Sequence, residues 1–172
     1  MADKEQKFTI EEAKKLSPKF LLRLINKAKE YLKTNDVFQD LCKEYGVEVD
    51  IIDVIPVKFG EIDVSGKCDH GVITLNYKLL CDGDFFKDYS YLVHESCHFF
   101  QQCFGDKATP SANNGDYLYN PAEQEGFQKQ VEYIADEYGE HEANDYVDNL
   151  LEHHEKDGKE KEKLKDVLMD KV

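Results

Sequence analysis

The chain lacks any apolar run long enough to cross a membrane, and its positive charges are few beside its acids. It has 36 Asp and Glu residues against 22 Lys and Arg, which gives a formal charge of −14 at pH 7. An acidic surface of this kind repels the phosphates of nucleic acids and the headgroups of anionic lipids. We therefore expect neither a nucleic-acid partner nor a membrane partner.

The chain also lacks a CxxC pair, which would indicate a zinc site or a redox motif. The number of cysteines is odd, and they are widely spread: Cys42, Cys68, Cys81, Cys97 and Cys103. Its first residues, Met-Ala-Asp-Lys-Glu-Gln-Lys, are charged and do not form the apolar segment of a secretory signal. These features predict a reduced, cytoplasmic protein without structural disulfides.

The 172 residues, of which 41% are hydrophobic, suffice for one domain with its own core. We see no internal repeat and no interdomain linker, so residues 1–172 are predicted to be a single domain. Residues 1–8 are predicted to be disordered because they carry charge and little else. Residues 158–172 are highly charged with a thin apolar stripe, which predicts a peripheral helix or tail.

Along the chain, segments with helical periodicity are followed by segments with strand periodicity and then by further helical segments, which predicts an α+β fold. Apolar residues recur at helical spacing from Thr9 to Thr34, where Ser17-Pro18 breaks or restarts the helix, and again from Asp36 to Tyr45. Three segments with β-branched residues are then predicted as strands: Val47–Lys58, Glu61–Gly66 and Gly71–Leu79. The rest of the chain is predicted to be helical. Val72–Tyr77 is the strongest strand, and its sequence leaves open whether it lies inside the sheet or at its edge.

The stretch that organises the chain is His94-Glu95-Ser96-Cys97-His98, a His-Glu-x-x-His motif. Residues four apart lie on one face of a helix, so the two imidazoles can point at one position. Glu95 is rotated about 100° from His94 and lies beside the pair. Two neutral imidazoles with a neighbouring carboxylate base are typical of a hydrolytic zinc site. Apolar residues flank most of this helix, which predicts that it is buried and central.

A third protein ligand is expected from the segment that follows Tyr117. Asn120 is a plausible N-cap with Pro121 at the first helical position, and Glu123 and Glu125 lie in the first turns. If zinc lies on the side away from the apolar stripe of this helix, Glu125 is the ligand. If the stripe faces the motif helix directly, Glu123 is the ligand instead, so the residues alone leave both open.

The motif and the later glutamates together resemble the gluzincin class of metallopeptidases, over roughly residues 70–138. Glu125-Gly126-Phe127 is similar to the Asn-Glu-Gly-Phe run of aminopeptidases in this class. The Glu-x-Glu spacing resembles lethal-factor-type and single-domain bacterial or phage metallopeptidases, whose second glutamate is the ligand. The resemblance implies Zn²⁺ bound by His94, His98 and Glu125. It also implies a zincin-like fold, in which a small mixed or antiparallel sheet of three or four strands packs on the motif helix.

The function that the resemblance implies is zinc-dependent hydrolysis of a peptide bond in a peptide or protein substrate. Glu95 is expected to take a proton from a water molecule held by the metal and to deliver it to the leaving amine. Tyr119, with Tyr117 as the other candidate, is expected to stabilise the negative oxygen of the intermediate. The implied fold also suggests that Val72–Tyr77 is an edge strand that pairs with an extended substrate. The alternative function is a metal-binding interaction protein of the same fold without turnover.

Overall fold

The computed structural model of the protein describes residues 7–81, 85–105 and 117–172. These residues form an α+β fold in which helices dominate and the sheet is small and mixed. The strands are β1 (Val57–Gly60), β2 (Gly66–Asp69) and β3 (Val72–Asn76). The helices are α1 (Ile10–Lys14), α2 (Pro18–Lys33), α3 (Asp36–Glu44), α4 (Tyr89–Phe104), α5 (Pro121–Tyr138), α6 (Glu140–His153) and α7 (Gly158–Leu168).

The first three helices begin where side-chain caps are available. Thr9 forms a reciprocal capping box with Glu12 at the start of α1. Ser17 caps α2, and Pro18 occupies the first position of that helix, so the Ser17-Pro18 pair restarts the helix as predicted. Asn35 caps α3 through the backbone nitrogen of Phe38. The predicted disorder of residues 1–8 falls mostly on residues outside the described part of the chain.

The sheet has the order β1-β3-β2, with β3 parallel to β1 and antiparallel to β2. The strand predicted from Val72 to Tyr77 is therefore the inner strand of the described sheet, and the expectation that it forms the edge is wrong. The hairpin between β2 and β3 turns at His70 and Gly71, both of which have positive φ.

Two strand predictions need correction. Val49–Val54 forms a 3-10 helix rather than part of a strand. Ile52 within this helix and Ile55 just after it are both buried and lie three residues apart, so the local period is near three and not two. The second strand was predicted at Glu61–Gly66, but β2 lies later in the chain, because its pairing with β3 begins only at Gly66, opposite Leu75.

Helix α4, which carries the motif, is buried on most of its surface and contacts both the sheet and α5. Helix α5 packs directly on α4, and Phe127 lies against the ring of His94 with centroids 4.5 Å apart. Asn120 caps α5 and Pro121 opens it, as predicted, and Gly139 ends it with a φ of +97°. This packing decides which face of α5 reaches the motif.

Helices α6 and α7 cover the outer side of α5. The residues that anchor them are Ala143, Val147, Leu151, Leu164 and Leu168, all of which are buried. The predicted charged helix at the carboxyl end is thus present as α7, with its thin apolar stripe against the core. In the described part of the chain, no helix combines the length and the apolar character that spanning a bilayer requires.

Candidate metal centre

Helix α4 brings the two imidazoles of the motif together. The Nε2 atoms of His94 and His98 lie 3.0 Å apart, and both side chains are buried. One helical turn separates the two residues, so their rings project from the same face. Phe127 shields one side of His94 from solvent.

Helix α5 supplies a carboxylate to the same point. The Oε1 atom of Glu123 lies 2.9 Å from Nε2 of His98, and its Oε2 atom lies 3.3 Å from Nε2 of His94. Burial alone would raise the pKa of Glu123, but hydrogen bonds from the two histidines outweigh it and hold that pKa well below its usual range. Burial likewise acts against a charged His98 ring, yet the hydrogen bond and charge of Glu123 raise the pKa of His98 to about 9.

The chemistry of this donor set fits a divalent cation. His94, His98 and Glu123 offer ligand atoms that all lie within 4.8 Å of one another. Neighbouring ligands of a tetrahedral zinc ion are about 3.3 Å apart when each lies about 2.0–2.1 Å from the metal. The separations here, 2.9 to 3.3 Å, are close to that spacing. Buried acceptors at such short range repel one another unless a proton or a metal ion lies between them.

The structure places Glu123, not Glu125, beside the histidines, so the expected third ligand needs correction. Glu125 Oε1 accepts a hydrogen bond from the hydroxyl of Tyr45, lies 3.1 Å from Sγ of Cys97 and lies 3.2 Å from Nε2 of Gln101. The physical reason is that Phe127, which begins the apolar stripe of α5, packs on His94 of α4, and Glu123 lies one helical turn before Phe127 on the same face. This is the arrangement under which the sequence favours Glu123.

Two buried glutamines contact the Nδ1 atoms of the two imidazoles. Oε1 of Gln130 lies 3.0 Å from Nδ1 of His94, and Oε1 of Gln101 lies 2.8 Å from Nδ1 of His98. Such contacts orient metal-binding histidines and favour the tautomer whose Nε2 is free. Neither residue was predicted from the sequence. A signal was present, since Gln101 follows His98 by three residues and Gln130 shares a helical face with Glu123 and Phe127.

Two glycines let neighbouring elements approach the motif closely. A Cβ atom at Gly126 would lie 3.0 Å from Nε2 of His94 and 3.1 Å from two ring carbons. A Cβ atom at Gly66, the first residue of β2, would lie 3.1 Å from Cγ of Glu95. The lack of a side chain at these positions is thus what allows α5 to reach one histidine and β2 to cover the glutamate.

Glu95 is buried beside the cluster, with only 6% of its surface exposed. Burial raises the pKa of Glu95, and the charges of His94 and His98 act against this rise. Glu95 and His94 also line a pocket of about 750 Å³. A carboxyl group with a raised pKa at the wall of a pocket has the properties of a general base.

The pocket lies between the segment that precedes β2 and the outer face of α6. Its walls include Asp63, Val64, Ser65 and Gly66 on one side and Tyr146, Asn149, Leu150 and His153 on the other. Its size is within the range of about 300–1,000 Å³ that is usual for ligand sites. The cluster therefore borders a space large enough for a substrate side chain.

Tyr117 reaches this site and Tyr119 does not. The hydroxyl of Tyr117 hydrogen-bonds to Glu123, and burial, followed by the charge of Glu123, raises the pKa of Tyr117. Tyr119 is 42% exposed, and the ammonium group of Lys156 lies 5.3 Å from its ring centroid. The two tyrosines occupy one 3-10 turn, in which residues two apart point in different directions. The structure thus brings Tyr117, and not the expected Tyr119, to the cluster.

Comparisons with protein-family models, with curated proteins and with solved structures gave no match for this chain.

Proposed function

We propose that the protein is a zinc-dependent metallopeptidase with a zincin-like fold, which hydrolyses peptide bonds in a peptide or protein substrate. The observation that carries this proposal is the convergence of His94, His98 and Glu123 beside the buried carboxyl group of Glu95, at the wall of a pocket. Two imidazoles and one carboxylate form a known ligand set of catalytic zinc.

Zinc bound by these three side chains would act as a Lewis acid and would lower the pKa of a water molecule at the open coordination position. Glu95 then accepts a proton from the attacking water and delivers it to the nitrogen of the leaving amine. Its raised pKa suits the first step, because a carboxylate with a raised pKa accepts a proton more readily than an ordinary glutamate does.

Tyr117 is the residue that best fits the role of stabilising the negative oxygen of the intermediate. Its hydroxyl already lies at Glu123, and its side chain lines the same pocket as Glu95. A phenol keeps its proton at neutral pH and can donate a hydrogen bond to a developing oxyanion.

The substrate backbone is proposed to lie along β2. Among the described residues, β2 pairs only with β3, so its other side is an edge of the sheet. The strand begins at Gly66, directly against Glu95. An extended peptide that adds to this edge would pass the pocket with its backbone hydrogen bonds satisfied.

The test combines metal analysis with peptide digestion. Purified protein is expected to contain one zinc ion per chain and to cleave members of a peptide library until a chelator is added. Glu95→Gln should abolish cleavage and leave the zinc content intact, because the amide cannot accept a proton but keeps the shape of the side chain.

Glu162→Gln is the matched control, since Glu162 is an exposed glutamate on α7, and it should change neither property. Cleavage that persists in Glu95→Gln would refute the mechanism. Full zinc content with no cleavage of any substrate by the unsubstituted protein would favour the alternative of a binding protein without turnover.

A further inference from the structure

The side chain of Gln101 has a fixed orientation, and this orientation determines how His98 meets a metal. Gln101 lies on α4 three residues after His98 and is 1% exposed. One end of its amide lies 2.8 Å from Nδ1 of His98. An amide has an accepting oxygen at one end and a donating nitrogen at the other. The end that faces the imidazole therefore decides which ring nitrogen carries the proton.

The partners at the far end of this amide are acceptors. The Nε2 atom of Gln101 lies 3.0 Å from the carbonyl oxygen of Ala122 and 3.2 Å from Oε1 of Glu125. It also lies 3.6 Å from Sγ of Cys97, whose thiol donates its proton to the same Glu125 oxygen. A carbonyl oxygen cannot donate, and the Glu125 oxygen already accepts a hydrogen bond from Tyr45. Reversing the amide would place its oxygen against two acceptors in a buried site and leave their hydrogen bonds unmet, which is unfavourable.

The oxygen of Gln101 must therefore face the ring, and Nδ1 of His98 must donate to it. A metal-bound imidazole is neutral and carries one proton. With that proton held on Nδ1, the lone pair of Nε2 is available to an ion that lies between His98, His94 and Glu123. The corresponding contact of His94 lacks this constraint. The nitrogen of Gln130 lies 3.2 Å from the hydroxyl of Ser90, and a hydroxyl both donates and accepts.

We propose that Gln101, fixed by Glu125 and the Ala122 carbonyl, is a positioning residue that presents Nε2 of His98 to the metal. Glu125 thereby has a role of its own: it sets the direction of the amide instead of binding the ion. This inference rests on the metal site of the proposed function. It adds that the affinity of this site depends on two side chains that do not contact the metal.

The first test measures zinc affinity by competition with a chromophoric chelator. Gln101→Leu should weaken binding about 10- to 100-fold, the range found when such supporting contacts are removed. Gln102→Leu is the matched control. Gln102 is the next residue on α4, and its amide bonds to Cys68 on β2 instead of to a histidine. This variant should bind zinc as the unsubstituted protein does.

A second measurement reports on His98 itself. In the zinc-loaded protein, NMR should detect a slowly exchanging proton on Nδ1 of both His94 and His98. In Gln101→Leu, the signal of His98 should broaden or exchange with solvent while that of His94 remains. A general loss of packing would affect both rings, so selective loss at His98 identifies a positioning effect.

A third test exchanges the amide of Gln101 and the carboxylate of Glu125. Gln101→Glu alone sets a carboxylate against Glu125 and should weaken zinc binding, because both side chains then only accept. Adding Glu125→Gln supplies an amide donor again, and the double variant should recover at least tenfold over the single one. This comparison remains informative even if Gln101→Leu does not fold.

The outcomes separate this inference from the proposed function. Unchanged zinc affinity in Gln101→Leu, equal effects on both histidine signals, or no recovery in the double variant would each overturn the role of Gln101 and leave the metal site standing. Failure of the unsubstituted protein to bind zinc would overturn both.

Discussion

Replacing Gly126 with alanine tests the closeness of α5 to the motif helix. The new Cβ atom would lie 3.0 Å from Nε2 of His94 and 3.1 Å from Cδ2 and Cε1 of the same ring. Nonbonded carbon atoms prefer about 3.5–4.0 Å, so the ring must retreat by roughly 0.5 Å. Plausible metal sites keep their ligand distances within about 0.2 Å of ideal, and this shift exceeds that tolerance.

The ring cannot retreat freely, because Nδ1 of His94 is hydrogen-bonded to Gln130 behind it. We expect Gly126→Ala to weaken zinc binding by at least tenfold, which corresponds to about 1.4 kcal/mol. The stability of the metal-free protein should change far less. Alanine gains about 0.5–1 kcal/mol over glycine inside a helix, and this gain offsets part of the strain.

The assay is a chelator competition for zinc, combined with urea unfolding of the metal-free protein. Zinc affinity equal to that of the unsubstituted protein would refute the close approach of α5 to His94. A loss of zinc affinity that only matched a large loss of stability would show that the substitution acts by disrupting the fold.

Three further predictions follow from the same geometry. Glu123→Ala should remove bound zinc, whereas Glu125→Ala should only weaken zinc binding. Metal analysis of both variants checks this, and a greater loss of zinc in Glu125→Ala would contradict the ligand assignment. Tyr117→Phe should lower kcat at least tenfold while Tyr119→Phe leaves it unchanged, as measured by peptide cleavage; equal rates would exclude Tyr117 from stabilising the intermediate. Gly66→Ala should displace the side chain of Glu95 and lower kcat several-fold with zinc content preserved; a loss of zinc would mean that β2 also supports the ligands.

The helices could be predicted from the sequence because their signals are local. Caps and prolines at Ser17-Pro18 and Asn120-Pro121 mark helix starts, and Gly139 marks a helix end. These features act within one turn and need no information about tertiary packing. The α+β class followed from the same reasoning, and the structure agrees with it.

The sheet was harder to predict. The segment Val49–Val54 has the composition of a strand, but burial of Ile52 and Ile55 favours a 3-10 turn. The position of β3 inside the sheet depends on which strands pair with it on both sides. Such pairings are long-range, and strand propensity carries no information about them.

The candidate site also combines features set by local sequence with features set by long-range packing. The proximity of His94 and His98 follows from helical spacing alone. The choice between Glu123 and Glu125 depends on which face of α5 meets α4, which only the packing of two helices decides. The role of Gln101 depends further on contacts from two other segments, so no local pattern reveals it.

The central claim is that two imidazoles and one carboxylate bind zinc. X-ray absorption spectroscopy of the zinc-loaded protein tests it most directly, because it distinguishes nitrogen and oxygen ligands from sulfur. The account predicts ligands at about 2.0–2.1 Å with the outer-shell scattering of two imidazole rings. A sulfur ligand at about 2.3 Å would contradict it, because zinc would then be bound by cysteine instead of by His94, His98 and Glu123.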